Sequence, residues 1–292
     1  MNTVRLWIKA VRPYAYSASL VPVAIGGLHA RAAGGVFSGL RFGVALAAGL
    51  LVHTAANLWN DYFDYRSGVD RPGGGEGSGV LVHGEMTPAR VFRGAALCAF
   101  LGLLAGLWLA SQTGWRLAWL FPVGLAGALF YCAGPRSPKH RALGEVWLFL
   151  MMGAGMTLGG GMAQTGRFSW GTIAAGVPAG LLMTLLLYTN NLRDLESDRA
   201  AGLRTLPMQM PPARARALAG AFLAGAYGLT PLLAAVGQVP PAALLSLLTL
   251  PWAVLWYRQV RKGPVEERHV KGIAMLHLGF GLLFAAGLWM GA

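Results

Sequence analysis

Two short polar stretches interrupt an otherwise apolar chain: Asn57-Leu58-Trp59-Asn60-Asp61-Tyr62-Phe63-Asp64 and Asn190-Asn191-Leu192-Arg193-Asp194-Leu195-Glu196-Ser197-Asp198. Residues three and four apart on a helix share a face. Asn57, Asn60, Asp61 and Asp64 therefore project together from one helix end, and Asn190 and Asn191 with Asp194 and Asp198 from another. Amide and carboxylate oxygens are hard ligands suited to magnesium, which keeps several waters and is commonly shared with substrate phosphates. Two such faces across a cavity would clamp a diphosphate through bridging Mg2+ ions. Metal neutralises charge on the departing diphosphate as a C–O bond breaks. If the other end of the substrate is an allylic hydrocarbon, a delocalised carbocation results. Aromatic faces steady such a cation, and Trp59, Tyr62, Phe63, Tyr65, Tyr131, Trp147 and Tyr188 lie near the predicted helix ends. Lys139, Arg141 and Arg193 supply cations for diphosphate oxygens that metal does not reach.

These residues need elements to carry them, and the composition names the class. Of 292 residues, 55% are hydrophobic and 12% charged, and 42 are glycine. Glycine is frequent in packed membrane helices, where small residues let backbones approach. Only 11 residues are acidic, and six of them are Asp61, Asp64, Asp70, Asp194, Glu196 and Asp198. Carboxylates near a bilayer persist where they have a partner or a task. The net charge of +13 does not point to nucleic acid, because the basic residues form no stripe with interleaved aromatics. Cys98 and Cys132 match no metal or disulfide spacing and read as small core residues.

Nine apolar spans of about 20 residues are legible, near 15–32, 41–59, 91–110, 117–134, 146–163, 170–190, 215–236, 242–257 and 273–291. The expected fold is all-α, a polytopic bundle of about nine transmembrane helices with a central cavity, forming a single domain over 1–292. Ala30-Arg31-Ala32 resembles a signal cleavage site, but the spans that follow favour an uncleaved helix. Twenty of the 24 basic residues fall on one alternating set of connections, leaving Arg31, Arg41, Arg116 and Arg167 on the other. The positive-inside rule puts the first set, with the N-terminus, in the cytoplasm. All the acidic residues fall on that side too, which the rule does not require. Both motifs follow a span four spans apart, a pattern consistent with a four-helix unit used twice. The run Gly73-Gly74-Gly75-Glu76-Gly77-Ser78-Gly79 after the first motif reads either as a flexible connector or as a lid whose amides approach phosphate.

Asn60-Asp61-xx-Asp64 followed by Asp194-xxx-Asp198 resembles the paired aspartate-rich motifs of the UbiA superfamily of intramembrane aromatic prenyltransferases. Arg12-Pro13, the run Asp64-Tyr65-Arg66-Ser67-Gly68-Val69-Asp70, Gly77-Ser78-Gly79-Val80-Leu81, the Gly134-Pro135 to Gly144-Glu145 loop and Asn190-Asn191-Leu192-Arg193-Asp194 are most similar to its 1,4-dihydroxy-2-naphthoate branch, in menaquinone biosynthesis. The resemblance implies a nine-helix bundle in the cytoplasmic membrane, its cavity open to the cytoplasm and to lipid. It also implies magnesium, a polyprenyl diphosphate donor and an aromatic acceptor. By position, Asn60, Asp64, Asp194 and Asp198 would organise the metal, with Asp61 supporting. Asp64, Asp194, Lys139 and Arg193 would serve catalysis, and Asn57, Tyr131, Lys139, Arg141, Asn190, Asn191 and Arg193 would meet the substrates. Arg71-Pro72-Gly73-Gly74-Gly75 is poorer in charge than is usual after the first motif, and Thr205-Leu206-Pro207-Met208-Gln209 departs mildly after the second. Other members use hydroxybenzoate, homogentisate, haem or a glycerol phosphate ether as acceptor. A transporter with a carboxylate-lined pathway is the reading from a different class; it predicts acids near mid-membrane, whereas here they sit at one face.

Overall fold

The computed structural model describes residues 2–73, 76–134 and 137–291. Gly74 and Gly75 of the glycine run, and Pro135 and Arg136 of the basic loop, lie outside the described residues. The chain runs through α1 (Thr3–Val11), α2 (Ser17–Ala32), α3 (Gly39–Ser67), α4 (Pro88–Thr113), α5 (Leu120–Cys132), α6 (Gly144–Leu148) and α7 (Met156–Thr165). It continues through α8 (Trp170–Arg193), α9 (Leu195–Ala200), α10 (Pro212–Ala235), α11 (Leu250–Lys262) and α12 (Glu267–Met290). No strand occurs among the described residues. The all-helical expectation holds.

Among the described residues, seven helical stretches are long and apolar enough to cross a bilayer: Gly39–Ser67, Pro88–Thr113, Trp115–Cys132, Gly144–Thr165, Trp170–Arg193, Pro212–Ala235 and Glu267–Met290. The two other expected spans are helical but shorter. The first, α2, has 16 residues. The span near 242–257 divides into a 3₁₀ stretch, Pro241–Thr249, and the 13-residue α11. Prolines explain the division, since Pro241 and Pro251 stand at the start of each piece, where a missing N–H costs nothing. The stretch Gly144–Thr165 is also irregular: between α6 and α7, Phe149–Gly155 takes a wide π turn.

The ends of the elements follow local chemistry. Ser38, Thr87 and Ser169 cap α3, α4 and α8, each side-chain oxygen accepting a backbone N–H from the first turn. At the far end of α3 the carbonyl of Asp64 accepts from Val69 N at 2.9 Å and Asp70 N at 3.1 Å. That turn holds the connection after the first motif against the helix that carries it.

The main core lies where α2, α8, α10 and α12 meet, around Ile25, Leu182, Leu185, Tyr188, Phe280 and Phe284. On its other flank α2 meets α7 with almost no side chain between them. A Cβ on Gly26 would overlap the Thr157 carbonyl, and one on Gly160 would overlap the Val23 carbonyl. Only glycine permits that approach. The outer surface is apolar, with Leu97, Phe100, Leu104 and Leu107 of α4 all exposed. In water such a row is an aggregation surface; in a bilayer it faces acyl chains. The protein is an integral membrane protein.

Candidate active site

The first motif occupies the last turns of α3. Asn60 and Asp64 are one turn apart and hydrogen-bonded, Asn60 Nδ2 donating to Asp64 Oδ2 at 2.7 Å. Asp64 is 2% exposed. Its Oδ2 also receives the ammonium of Lys139, which reaches Asn60 Oδ1 at 3.3 Å. Asp64 Oδ1 is buried with no hydrogen-bond partner among the described residues. Asp61 projects elsewhere. Its Oδ1 forms an ion pair with Arg12, the residue that ends α1, while its Oδ2 is buried without a partner. Asn57, one turn before, donates to the Val11 carbonyl at 3.2 Å, so α1 is tied to α3 at two places.

Arg12 takes a left-handed backbone at φ 55°, uncommon for a residue with a side chain. Its guanidinium is thereby turned under α1 toward Asp61. Gly77 completes the cluster at φ +56°: a Cβ there would lie 2.5 Å from Asp70 Oδ2 and 2.7 Å from Asp61 Oδ1. This glycine is needed so that the connection can run directly over two carboxylates. Burial, with Asp64 nearby, pushes the Asp70 carboxyl up to about 6 against the opposing pull of Lys139 and Arg12.

The second motif ends α8. Arg193 grips Asp194 through both oxygens, Nε to Oδ1 at 2.7 Å and Nη2 to Oδ2 at 2.6 Å, while its Nη1 pairs with Glu267 at the start of α12. Asn191 Nδ2 donates to Glu145 Oε1 at 2.8 Å, and Glu145 Oε2 is buried without a partner. Asn190 spends its amide on the Leu186 carbonyl at 3.2 Å. Asp198 stands one turn on, in α9. Burial and then Asp194 push its carboxyl up to about 6, with Lys139 and Arg193 opposing and Asp64 adding to the rise. The two motifs thus share one electrostatic field, and Lys139 stands between them. Burial and that same Lys139 hold His140 below its ordinary value.

Three of the four motif aspartates are paired with a basic side chain, Asp61 with Arg12, Asp64 with Lys139 and Asp194 with Arg193; Asp198 forms no ion pair among the described residues. Among the described residues, no three His, Cys, Asp or Glu side chains converge closely enough to hold a metal ion. The donor set nonetheless suits a hard cation. Asn60 and Asp64 offer oxygens side by side, and Asp64 Oδ1 is buried and unsatisfied, at a cost that a ligand would remove.

Beside the motifs lies a cavity of about 700 Å³, lined by Ser67, Val69, His140, Arg141, Arg204 and Gln209 among others. Arg141 lines it; the acidic residues of the motifs do not. Tyr131, in the last turn of α5, packs against the start of α6, its hydroxyl 3.7 Å from where a Cβ of Gly144 would be. Tyr188, one of the aromatics expected near the site, is fully buried in the core and donates to the Ala215 carbonyl at 2.9 Å.

The family model described as the UbiA prenyltransferase family matches residues 19–280. The chain belongs to this family. This UbiA-type prenyltransferase is 29% identical to the 1,4-dihydroxy-2-naphthoate octaprenyltransferase of Bacillus subtilis, over 97% of this chain and 91% of that protein. It is 32% identical to UbiA prenyltransferase domain-containing protein 1 of Xenopus tropicalis, over 97% of this chain and 81% of that one. Among solved structures, a UbiA homolog from Archaeoglobus fulgidus bound to DMAPP and Mg2+ superposes with TM-score 0.68 at 17% identity, covering 96% of this chain and 99% of that one. At that identity the likeness shows the fold.

Several participants were not given roles by the sequence. Glu145 and Glu267 partner Asn191 and Arg193, and their rarity as acids was the available signal. His53, on α3 one turn inward of Asn57, is 6% exposed and pairs through Nδ1 with Ser19 Oγ at 3.0 Å. Its Nε2 has no hydrogen-bond partner among the described residues. Beside it the Tyr16 hydroxyl meets Thr54 Oγ1 at 2.7 Å. The spacing 53, 57, 60, 64 is a helical stripe, so His53 extends the polar face of the first motif into the bundle.

Proposed function

We propose that this protein transfers a polyprenyl group from a polyprenyl diphosphate to 1,4-dihydroxy-2-naphthoate, giving a demethylmenaquinone-type product. The observation that carries the donor half is the Lys139 ammonium held between Asn60 and Asp64, next to an unsatisfied Asp64 oxygen. A buried place that already accepts one cation is suited to another. Asn60, Asp64, Asp194 and Asp198 would hold magnesium, with Asp61 in support through Arg12. The chemistry that magnesium supplies when bound is neutralisation of charge on the leaving diphosphate.

The chain's own residues do the rest. Lys139, released from Asp64, and Arg193, already forked on Asp194, would bind diphosphate oxygens. Asn190 and Asn191 orient that end of α8, and Arg141 lines the cavity through which a charged group would enter. Tyr131 would offer an aromatic face to the allylic cation. Asn57 and the His53–Ser19 pair present polar atoms deeper along α3, at the level where an aromatic acceptor would lie with its hydroxyl and carboxylate groups. We take 1–292 as one catalytic unit of nine crossings, counting the two shorter segments, with this mouth at the cytoplasmic face of a bacterial or archaeal membrane.

The Bacillus subtilis relative supports the naphthoate acceptor. The Xenopus tropicalis relative, similar to a like degree, has a name that specifies no acceptor, so a second reading, in which another aromatic is prenylated, stands beside the first. Purified protein given labelled prenyl diphosphate, magnesium and a panel of acceptors decides between them. Prenylated naphthoquinol is the expected product. Prenylation of hydroxybenzoate or another aromatic in its place would overturn the acceptor, and no transfer to any aromatic would overturn the reaction.

A further inference from the structure

A second groove lies away from the motifs, between α10 and α11. It encloses about 350 Å³ and shares no lining residue with the cavity beside the motifs. Leu223 and Ala253 form its buried floor, and the exposed side chains of Leu250 and Val254 form its rim. Tyr227, also on the floor, is satisfied: its hydroxyl meets Thr249 Oγ1 at 2.6 Å. Apart from the tyrosine hydroxyls its lining between the helices is aliphatic, so the groove offers a largely apolar bed. Tyr257 closes one side by lying across Gly220, where a Cβ would come within 2.6 Å of its ring.

The mouth is different. Arg258 and Arg261 line its end, one turn apart on α11, and both are exposed. Arg216 of α10 joins them by donating from Nη1 to the Arg261 carbonyl at 3.5 Å. Among the described residues none of these three arginines pairs with a carboxylate. The acids closest in sequence are engaged elsewhere, Glu266 by Arg268 and Glu267 by Arg193 and Lys271. An arginine cluster at the end of a membrane helix serves as an anchor wherever it stands. A cluster over an apolar slot between two helices has the shape and charge of one amphiphile.

We propose that this groove seats one anionic phospholipid, its acyl chain against Leu223, Leu250 and Val254 and its phosphate on Arg258 and Arg261. Guanidinium forks match phosphate oxygens in pairs. A zwitterionic lipid would bring a cation against three arginines and is disfavoured. The groove opens at the same end of the bundle as both motifs, because Arg193 at the end of α8 is paired with Glu267 at the start of α12, directly after α11. A lipid held there would brace α11, which at 13 residues has little span of its own.

The test uses the full-length protein in a nonionic detergent. Native mass spectrometry and thermal unfolding are followed against phosphatidylglycerol, phosphatidylcholine of the same chains, and glycerol phosphate. One phosphatidylglycerol is expected to bind saturably and to raise the melting temperature, with no such effect from the other two. Arg258→Gln with Arg261→Gln should weaken retention about tenfold or more. Val254→Trp, which fills the groove while leaving both arginines, should weaken it as well. Equal retention by wild type and both variants would overturn the proposal. So would equal binding of phosphatidylcholine, or a shift of the same size with glycerol phosphate alone. Displacement of the bound lipid by a prenyl diphosphate at equimolar concentration would reassign the groove to substrate.

Discussion

Lys139→Met removes the ammonium that neutralises Asp64, and the structure sets how much that costs and what restores it. Asp64 would keep one hydrogen bond, from Asn60 Nδ2 at 2.7 Å, for a carboxylate that is 2% exposed. Removing one partner of a buried ion pair costs about 3–5 kcal/mol. The Lys139 side chain is 19% exposed, so water reaches part of the space it leaves, and about 2–3 kcal/mol is the expected loss. For a chain of this size that corresponds to a fall of roughly 5–10 °C in melting temperature. Magnesium reverses the order. In the wild type a metal ion must displace Lys139 from Asp64 Oδ2; in the variant it meets a carboxylate with nothing to displace. Added magnesium should therefore raise the melting temperature of Lys139→Met by more than that of wild type, while prenyl transfer stays low because the diphosphate has lost a cation. The assay is thermal unfolding in detergent with EDTA or with magnesium, alongside turnover. A variant that melts with wild type in EDTA, and gains no more from magnesium, refutes the reading of Lys139 as a stand-in cation.

Four further outcomes are expected. Asp194→Asn should lower prenyl transfer about 100-fold or more yet leave the melting temperature nearly unchanged, since Asp194 and Arg193 are both about a third exposed and such pairs contribute roughly 0–1 kcal/mol; a large loss of stability would contradict this. Arg12→Gln strands buried Asp61, so it should destabilise by about 3 kcal/mol, read as a lower melting temperature with and without magnesium. His53→Phe removes a polar partner for the acceptor, and the acceptor KM should rise about tenfold, one hydrogen bond's worth, with prenyl diphosphate binding measured separately and unaltered. Gly26→Leu drives a side chain into the Thr157 carbonyl, and the yield of folded protein from detergent should collapse, beyond the roughly 1–3 kcal/mol of ordinary overpacking.

What could be read in advance depended on how local each cause is. Span positions are a matter of summed hydropathy, and helices stand at all nine expected places. The two shorter ones depart because Pro241 and Pro251 divide one run and because α2 begins only at Ser17. The contact of Asn60 with Asp64 follows from helical spacing alone. Which cation meets which carboxylate does not, because it depends on how distant segments come together. Arg12 stands 49 positions before Asp61, and nothing local announces that its backbone turns left-handed to reach it. Tyr188 failed as a site aromatic for the same reason: its neighbourhood in sequence is the motif, while its neighbourhood in space is α10.

The π turn over Phe149–Gly155 sits between two tasks of one rod. Before it, Glu145 holds Asn191 beside the second motif; after it, Gly160 holds Val23 deep in the bundle. A turn with one residue more than the α-helix resets the angular phase between the parts on either side. The rod can thus meet α8 with one end and α2 with the other without either contact dictating the other. Deleting a single residue there would act as a rotation of about 100° of one end against the other, a change no substitution can imitate. Length, at this one turn, is an adjustable angle.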